Sequence, residues 1–353
     1  MVSVFTDVIQ YRGSHYQFGF EQGKQLKSSV LLRNRQNQSK KRRKRHFYTN
    51  VNEAVQLLNQ FSPMLLAEIE GLADGLDWSF EQAVRAFSGY YLEEERSGCS
   101  IMTGHDFLVR NYDSHPSSYE GRLVVYQPND GGYATIGPSM QITGRMDGIN
   151  EKGFSMGYNF TNRISSDDGF VCNMIGRILL ENCATVDEGI ELLKAIPHRS
   201  AFSYVLFDLT GRSVVVEASP RSAVVRPANM CTNHFELLHE ENRYQSDESI
   251  ERLNKIKSSW QPNLSIREAY QMFNDQANGI FSHRYGAWSG TLHTSCYEPT
   301  TLIALYGIGA NQIPVLINLA NFLKGETIRI KRVTGQLNAD VPFINDKYSI
   351  ELK

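Results

Sequence analysis

One stretch concentrates residue types able to do covalent chemistry: Ser97-Gly98-Cys99-Ser100-Ile101-Met102-Thr103-Gly104-His105-Asp106-Phe107-Leu108-Val109-Arg110-Asn111-Tyr112-Asp113. It reads as two short strands around a tight turn, with Gly104-His105 as a two-residue loop of the type that favours Gly first. That register places Arg110 directly across from Cys99, and a one-residue slip would turn the arginine to the other face. A thiol with a reference pKa near ~8.5 is a weak nucleophile at neutral pH, and a neighbouring guanidinium stabilises its thiolate. Asp113 could orient an amine or the arginine. These residues alone also allow a core cysteine beside a surface ion pair, and both readings stay open at this level.

The rest of the chain must supply elements that hold this stretch. At 353 residues it exceeds usual single-domain size, a soft prior of about two domains. With 41% apolar residues, 21% charged residues and a net charge of −2, nothing global points to nucleic acid or a membrane surface. The first residues show no signal-peptide pattern, and no 18-residue apolar run predicts a membrane span. Five scattered cysteines (Cys99, Cys172, Cys183, Cys231, Cys296) without a CxxC argue against a zinc ribbon or a disulfide framework. A reducing cytoplasm is the natural compartment. The run Lys40-Lys41-Arg42-Arg43-Lys44-Arg45 reads first as a solvated face. Nucleic acid, an acidic surface or an anionic cosubstrate is the alternative. No aromatic residues interleave with it, and residues 99–353 carry fewer basic than acidic side chains.

Before Cys99 the pattern is mostly helical. Leu65, Ile69, Leu72 and Leu76 share one helix face, and Ser79-Phe80-Glu81-Gln82 opens another helix as a capping box. Glu93–Gly98 reads as a polar, exposed connection suited to cutting. After Cys99 short strands dominate, at 107–112, 122–127, 133–136, 145–149 and 153–158, separated by Gly, Pro, Asn or Asp. Helices follow at about 173–182 and from the capping box Thr185-Val186-Asp187-Glu188. A hairpin joins 203–208 to 213–218, helices start near Ser246 and Ser265, and strands return at 291–296 and 301–306. That order predicts α+β layers with antiparallel sheets covered by helices.

Several stretches in this order resemble the cysteine N-terminal nucleophile hydrolases of linear amides, the penicillin (isopenicillin-N) acyltransferase and choloylglycine hydrolase family. They are Arg12-Gly13-Ser14-His15-Tyr16-Gln17-Phe18-Gly19-Phe20-Glu21-Gln22-Gly23, Gly98-Cys99-Ser100, Arg110-Asn111-Tyr112-Asp113, Asp147–Phe160, Leu180–Glu188 and Thr232-Asn233-His234-Phe235. The resemblance implies that Cys99 is the nucleophile and that its own α-amine is the base. Because Cys99 is internal, it further implies autoproteolysis at Gly98-Cys99. By the same resemblance Arg110 stabilises the thiolate and Asp113 holds the α-amine. Asn159 and Asn233 form or support the oxyanion hole, and Arg284 is the choice for the last family arginine. Cys231 beside Thr232-Asn233 could line the pocket. The other cysteines read as buried, and a Cys–His dyad with His234 or His105 is a minor alternative.

The resulting expectation is a four-layer αββα sandwich with two antiparallel sheets. Residues 1–98 would be a helical propeptide (α chain) and residues 99–353 the catalytic core (β chain), as one structural unit. The activity implied is cleavage of a linear amide through a Cys99 thioester, on a small-molecule amide substrate. An acyl-CoA-dependent N-acyltransferase and an uncut, catalytically silent binding protein are the alternatives. No metal or organic cofactor, no nucleic acid and no membrane partner is expected. The α and β chains of one precursor would stay together, and a homo-oligomer is compatible with the family.

Overall fold

The computed structural model describes residues 1–33, 49–90, 98–163, 166–287, 289–341 and 343. The basic run at 40–45 and the connection Glu93–Ser97 lie outside the described residues. Within them the chain begins with a strand, not a helix. The alternation Val4, Thr6, Val8 buries one face of β1 (Val2–Gly13). Ser14 then caps α1 (His15–Leu26) in a capping box with Gln17. Helices α2 (Val51–Phe61), α3 (Pro63–Leu76) and α4 (Phe80–Phe87) follow, the last started by the Ser79–Gln82 box.

The Gly-spaced stretch has a packing reason. A Cβ on Gly19 would lie 1.9 Å from the Glu68 carbonyl oxygen, and one on Gly71 would lie 2.0 Å from that of Tyr16. Gly23 and Gly75 meet in the same way one turn further on. Glycines four apart on both helices let the α1 and α3 backbones touch, so the N-terminal helices dock as one layer. A buried polar seam ties that layer to the rest. His15 Nδ1 sits 2.7 Å from Asp130, Glu68 pairs with Arg177 at 2.6 Å, and Gln22 accepts from Arg122 at 2.6 Å.

The strands of the core are β2 (Ser100–Thr103), β3 (Leu108–Ser114), β4 (Arg122–Pro128), β5 (Thr135–Met140), β6 (Gly144–Arg145), β7 (Asp147–Asn150) and β8 (Ser155–Phe160). After helices α5 (Cys172–Asn182) and α6 (Val186–Ala195) come β9 (Phe202–Phe207), β10 (Ser213–Ala218), β11 (Ala223–Arg226) and β12 (Met230–Cys231). Helices α7 (Asp247–Ser259) and α8 (Ile266–Asn274) precede β13 (His283–Arg284), β14 (Ser289–Glu298), β15 (Ile303–Ile308), β16 (Val315–Asn318), helix α9 (Leu319–Leu323) and β17 (Arg332–Leu337).

They form a ten-stranded sheet ordered β11-β10-β9-β8-β7-β5-β4-β1-β17, with β6 on β5, and a seven-stranded sheet ordered β12-β2-β3-β14-β15-β16, with β13 on β14. Among the described strands the pairings are antiparallel except β1 with β4. Helices α5 and α6 cover the outer face of the larger sheet, and α7 and α8 cover that of the smaller. The protein is therefore an α+β sandwich of four layers, α-β-β-α, as expected. The segment read as a helical propeptide differs in one respect: its first strand lies inside the larger sheet, hydrogen-bonded on both sides.

Alternation along β2 sorts its side chains between the two cores. Cys99 and Ile101 point between the sheets, whereas Met102 packs with Ile256, Ala269 and Phe273 beneath α7 and α8. The β2–β3 register also differs from the expected two-residue hairpin. Ile101, not Cys99, faces Arg110. The turn is four residues long, closed by the Gly104 N–H on the Phe107 carbonyl at 2.9 Å, because the Phe107 ring is pulled into the lower core. The offset is two residues, so the period of the strand returns Arg110 to the face that Cys99 occupies.

Candidate active site

Cys99 is fully buried at the mouth of β2. Its Sγ accepts from the backbone N–H of Asp113 at 3.4 Å and from Arg110 Nη2 at 3.5 Å. Arg110 reaches it diagonally across β2–β3, the geometry open to long side chains in an antiparallel pair. Both terminal nitrogens of the arginine are held by other groups as well. Nη1 donates to Asp147 Oδ2 at 2.6 Å and to the Met146 carbonyl at 2.7 Å, and Nη2 donates to the Tyr158 carbonyl at 2.5 Å. The rings of Tyr112 and Tyr158 lie 5.0 and 4.8 Å from its guanidinium carbon. Burial alone would push the guanidinium pKa down, but the anionic forms of Cys99 and Asp147 hold it above its usual value. Arg110 is thus a fixed cation against the thiol.

Asp147 makes that cation affordable in a dry interior. It also accepts from Ser295 Oγ at 2.9 Å and from the Tyr297 hydroxyl. Burial opposes its charge, yet His293, Arg110 and Tyr297 together hold the carboxyl well below the usual carboxylate range.

Asp113 lies on the other side of the thiol. Its Oδ1 accepts from Thr291 Oγ1 at 2.7 Å, directly across the β3–β14 pair. Its Oδ2 is buried without a hydrogen bond, 3.6 Å from Arg252 Nη1. Burial pushes this carboxyl up to about 7 against the pull of Arg252, Thr291 and Arg110.

The two asparagines arrive from β8 and from the loop after β12. Asn159 Nδ2 donates to the Cys231 carbonyl at 2.9 Å and contacts its Sγ at 3.1 Å, leaving Oδ1 buried without a partner. Asn233 Nδ2 donates to the Phe160 carbonyl at 2.9 Å, and its Oδ1 accepts from Arg252 Nη2 at 2.7 Å. Arg252 also donates to the Cys99 carbonyl at 2.9 Å and to Ser100 Oγ at 2.7 Å. At Gly98 a Cβ would lie 2.9 Å from the Cβ of Ser289, so the residue before the cysteine has no room for a side chain.

Cys99, Arg110, Asp113 and Asn233 therefore converge, with Asn159 next to them through Cys231. Arg284 does not join them. It is exposed on β13 and paired with Glu248, although its strand partner Ser289 touches Gly98. The arginine at the thiol's carbonyl is Arg252, which sequence reasoning missed because nothing in Ser246–Ser258 marks one helix position over another. Asp147 and Thr291 were missed too. Asp147 opens the quoted Asp147–Phe160 stretch, a signal that was present, whereas Thr291 is found only through strand register. Cys231 does adjoin the site, with its thiol pushed up to about 11 by burial. His234 is bonded to Ser249 Oγ at 2.8 Å and His105 sits at the far end of β2, so neither is arranged as the base of a dyad. Among the described residues no three His, Cys, Asp or Glu side chains are placed to hold a metal ion.

A family model described as acyl-coenzyme A:6-aminopenicillanic acid acyl-transferase matches residues 101–312, beginning two residues after Cys99. No curated protein sequence matches the chain. Solved structures are similar at low identity. Penicillin V acylase from Agrobacterium tumefaciens is 14% identical at a TM-score of 0.44, covering 63% of this chain and 86% of that one. A variant of the conjugated bile acid hydrolase from Clostridium perfringens is 16% identical at 0.43, covering 68% and 97%. The Caenorhabditis elegans ortholog of N-acylethanolamine-hydrolyzing acid amidase is 14% identical at 0.42, covering 57% and 92%.

Proposed function

The chain belongs to the acyl-coenzyme A:6-aminopenicillanic acid acyl-transferase family, and we propose that it cleaves a linear amide through an acyl-thioester on Cys99 after cutting its own Gly98–Cys99 bond. The observation that carries this reading is the buried Cys99 thiol held between the Arg110 guanidinium and the Asp113 N–H, directly after a glycine that cannot be replaced without a clash.

In the first step the Cys99 thiol gives up its proton to the ionised Asp113 carboxylate, the amine being not yet formed, and its sulfur bonds to the Gly98 carbonyl carbon. The Gly98–Cys99 C–N bond breaks, and the departing nitrogen takes a proton to become the free α-amine. Water hydrolyses the thioester, leaving a carboxylate on Gly98 and a restored thiol. In each later turnover the α-amine accepts the thiol proton, with a reference pKa near ~7.7–8 that leaves a fair fraction neutral at pH 7. Arg110 steadies the thiolate, and the ionised Asp113 holds the amine. The amide donors of Asn233, and of Asn159 after a rotation of its carboxamide, stabilise the anionic tetrahedral intermediate. The substrate amine leaves with the proton, and the S-acyl group passes to water.

The family description favours a second acceptor, an amine in place of water, with a coenzyme A thioester as acyl donor. Five buried cysteines with no CxxC spacing suit a reducing compartment such as the cytoplasm. The test is the intact mass of fresh protein beside Cys99→Ala. Two chains parting at Gly98–Cys99 only with Cys99 present support the reading. A single chain after long incubation refutes self-activation.

A further inference from the structure

Arg252 lies in none of the stretches that marked the site, yet it bonds to Cys99, Ser100 and Asn233 at once. It projects from α7 with little exposure and reaches the Cys99 carbonyl, Ser100 Oγ and Asn233 Oδ1 at 2.9, 2.7 and 2.7 Å. Its Nη2 is 3.5 Å from where a Cβ on Gly98 would be, so the guanidinium spans the Gly98–Cys99 peptide. Its hydrogen-bond acceptors are all neutral, and the nearest carboxylate is Asp113 Oδ2 at 3.6 Å, which has no hydrogen bond of its own.

We infer that Arg252 is the positioning residue that orients the Asn233 carboxamide and the Asp113 carboxylate beside the Cys99 peptide, in self-cleavage and in later amide turnover. This rests on the function proposed above. A carboxamide can present either end, and the Arg252 donor on Oδ1 turns the Nδ2 donors of Asn233 the other way. There one meets the Phe160 carbonyl, while Ser249 Oγ pins the Asn233 backbone N–H at 2.8 Å. Only a planar fork can hold the Cys99 carbonyl and the Asn233 amide together; a lysine ammonium offers the charge without that geometry. The same cation favours the ionised form of Asp113. The other groups facing Asp113 are Arg110 and Cys99 from the β2–β3 hairpin, Thr291 from β14 and the phenol of Tyr285.

The experiment follows the self-cleavage rate against pH, by intact mass, in the full chain and in Arg252→Met and Arg252→Lys, with melting curves for each. Arg252→Met is expected to cut about 10²-fold more slowly, the usual loss when one oriented donor set fails. Its acid limb should move up by roughly one pH unit as Asp113 loses its cation. Arg252→Lys is expected to keep the limb near wild type while cutting roughly tenfold more slowly. A folded Met variant with the wild-type rate and limb overturns the inference, and so does an equal loss in both variants with the limb unmoved. Should the unmodified chain itself stay uncut, the proposed function falls and Arg252 is judged separately. In a Cys99→Ala background the ¹³C carboxyl titration of Asp113 should shift upward when Arg252 becomes Met; an unchanged midpoint overturns it.

Discussion

Replacing Asp147 by Asn separates two effects that a less constrained site would blur. Asp147 and Arg110 are both fully buried and paired at 2.6 Å. Removing one charge of a buried pair typically costs ~3–5 kcal/mol, because the other is left uncompensated. The substitution should therefore lower the melting temperature by about 5–10 °C in a chain this large. The thiol should respond in the opposite sense. With bonds of 2.6 and 3.5 Å on either side of the guanidinium, the Asp147 and Cys99 anions sit roughly 7 Å apart, and at an effective dielectric constant near 20 their repulsion is about 2 kcal/mol. Removing it should lower the Cys99 pKa by between about one and two units. The assay is thiolate absorbance near 240 nm against pH, as the difference from Cys99→Ala, and needs no reagent to enter the buried site. Burial pushes Cys231 up to about 11, Cys183 up to about 12 and Cys296 well above the usual thiol range, outside the window. An unchanged or raised midpoint, in a protein that still melts cooperatively, would refute the argument that Arg110 is shared between Asp147 and the thiolate.

Other expectations follow from single contacts. Gly98→Ala places a methyl 2.9 Å from the Ser289 Cβ; it should slow self-cleavage, and Ser289→Gly in the same chain should restore it, as read by intact mass. Gly71→Leu at the α1–α3 crossing, where even a Cβ would lie 2.0 Å from the Tyr16 carbonyl, should cost at least ~1–3 kcal/mol by denaturant titration. Glu181 is brought down to about 2; burial opposes its charge, but Arg177 and His15 outweigh it. Its folded pKa lies below its unfolded value, so it stabilises above about pH 4.5 and that stability fades as pH falls toward 2. Glu181→Gln should flatten the acid limb of a stability–pH curve. Turnover of the cut enzyme should rise with pH through about 7 as Asp113 ionises, and Asp113→Asn should remove that limb along with most of the rate.

Much of the layer order was legible in the chain because it depends on local pattern. Capping boxes at Ser79, Thr185 and Ser265 start helices where expected, since the cap hydrogen bonds involve residues three apart. Period-two runs after Cys99 became strands, and the same signal in Val2–Gly13 was there to read. Residue types also identified a thiol, an arginine and a carboxylate within fifteen positions. What they could not supply was distance across the fold. The β2–β3 register turned on where the Phe107 ring packs, a contact with α8 residues far along the chain. Arg284 and Arg252 are both arginines in the right region, and composition cannot rank them. The three-dimensional path of α7 brings Arg252 to the Cys99 carbonyl, while β13 leaves Arg284 in solvent with Glu248. Asp147 reaches the thiol by way of Arg110, 37 residues earlier. Local spacing decides which elements form and which groups can react. The electrostatics of a buried site depend on which charges share its interior, and only the packing of two sheets brings those charges together.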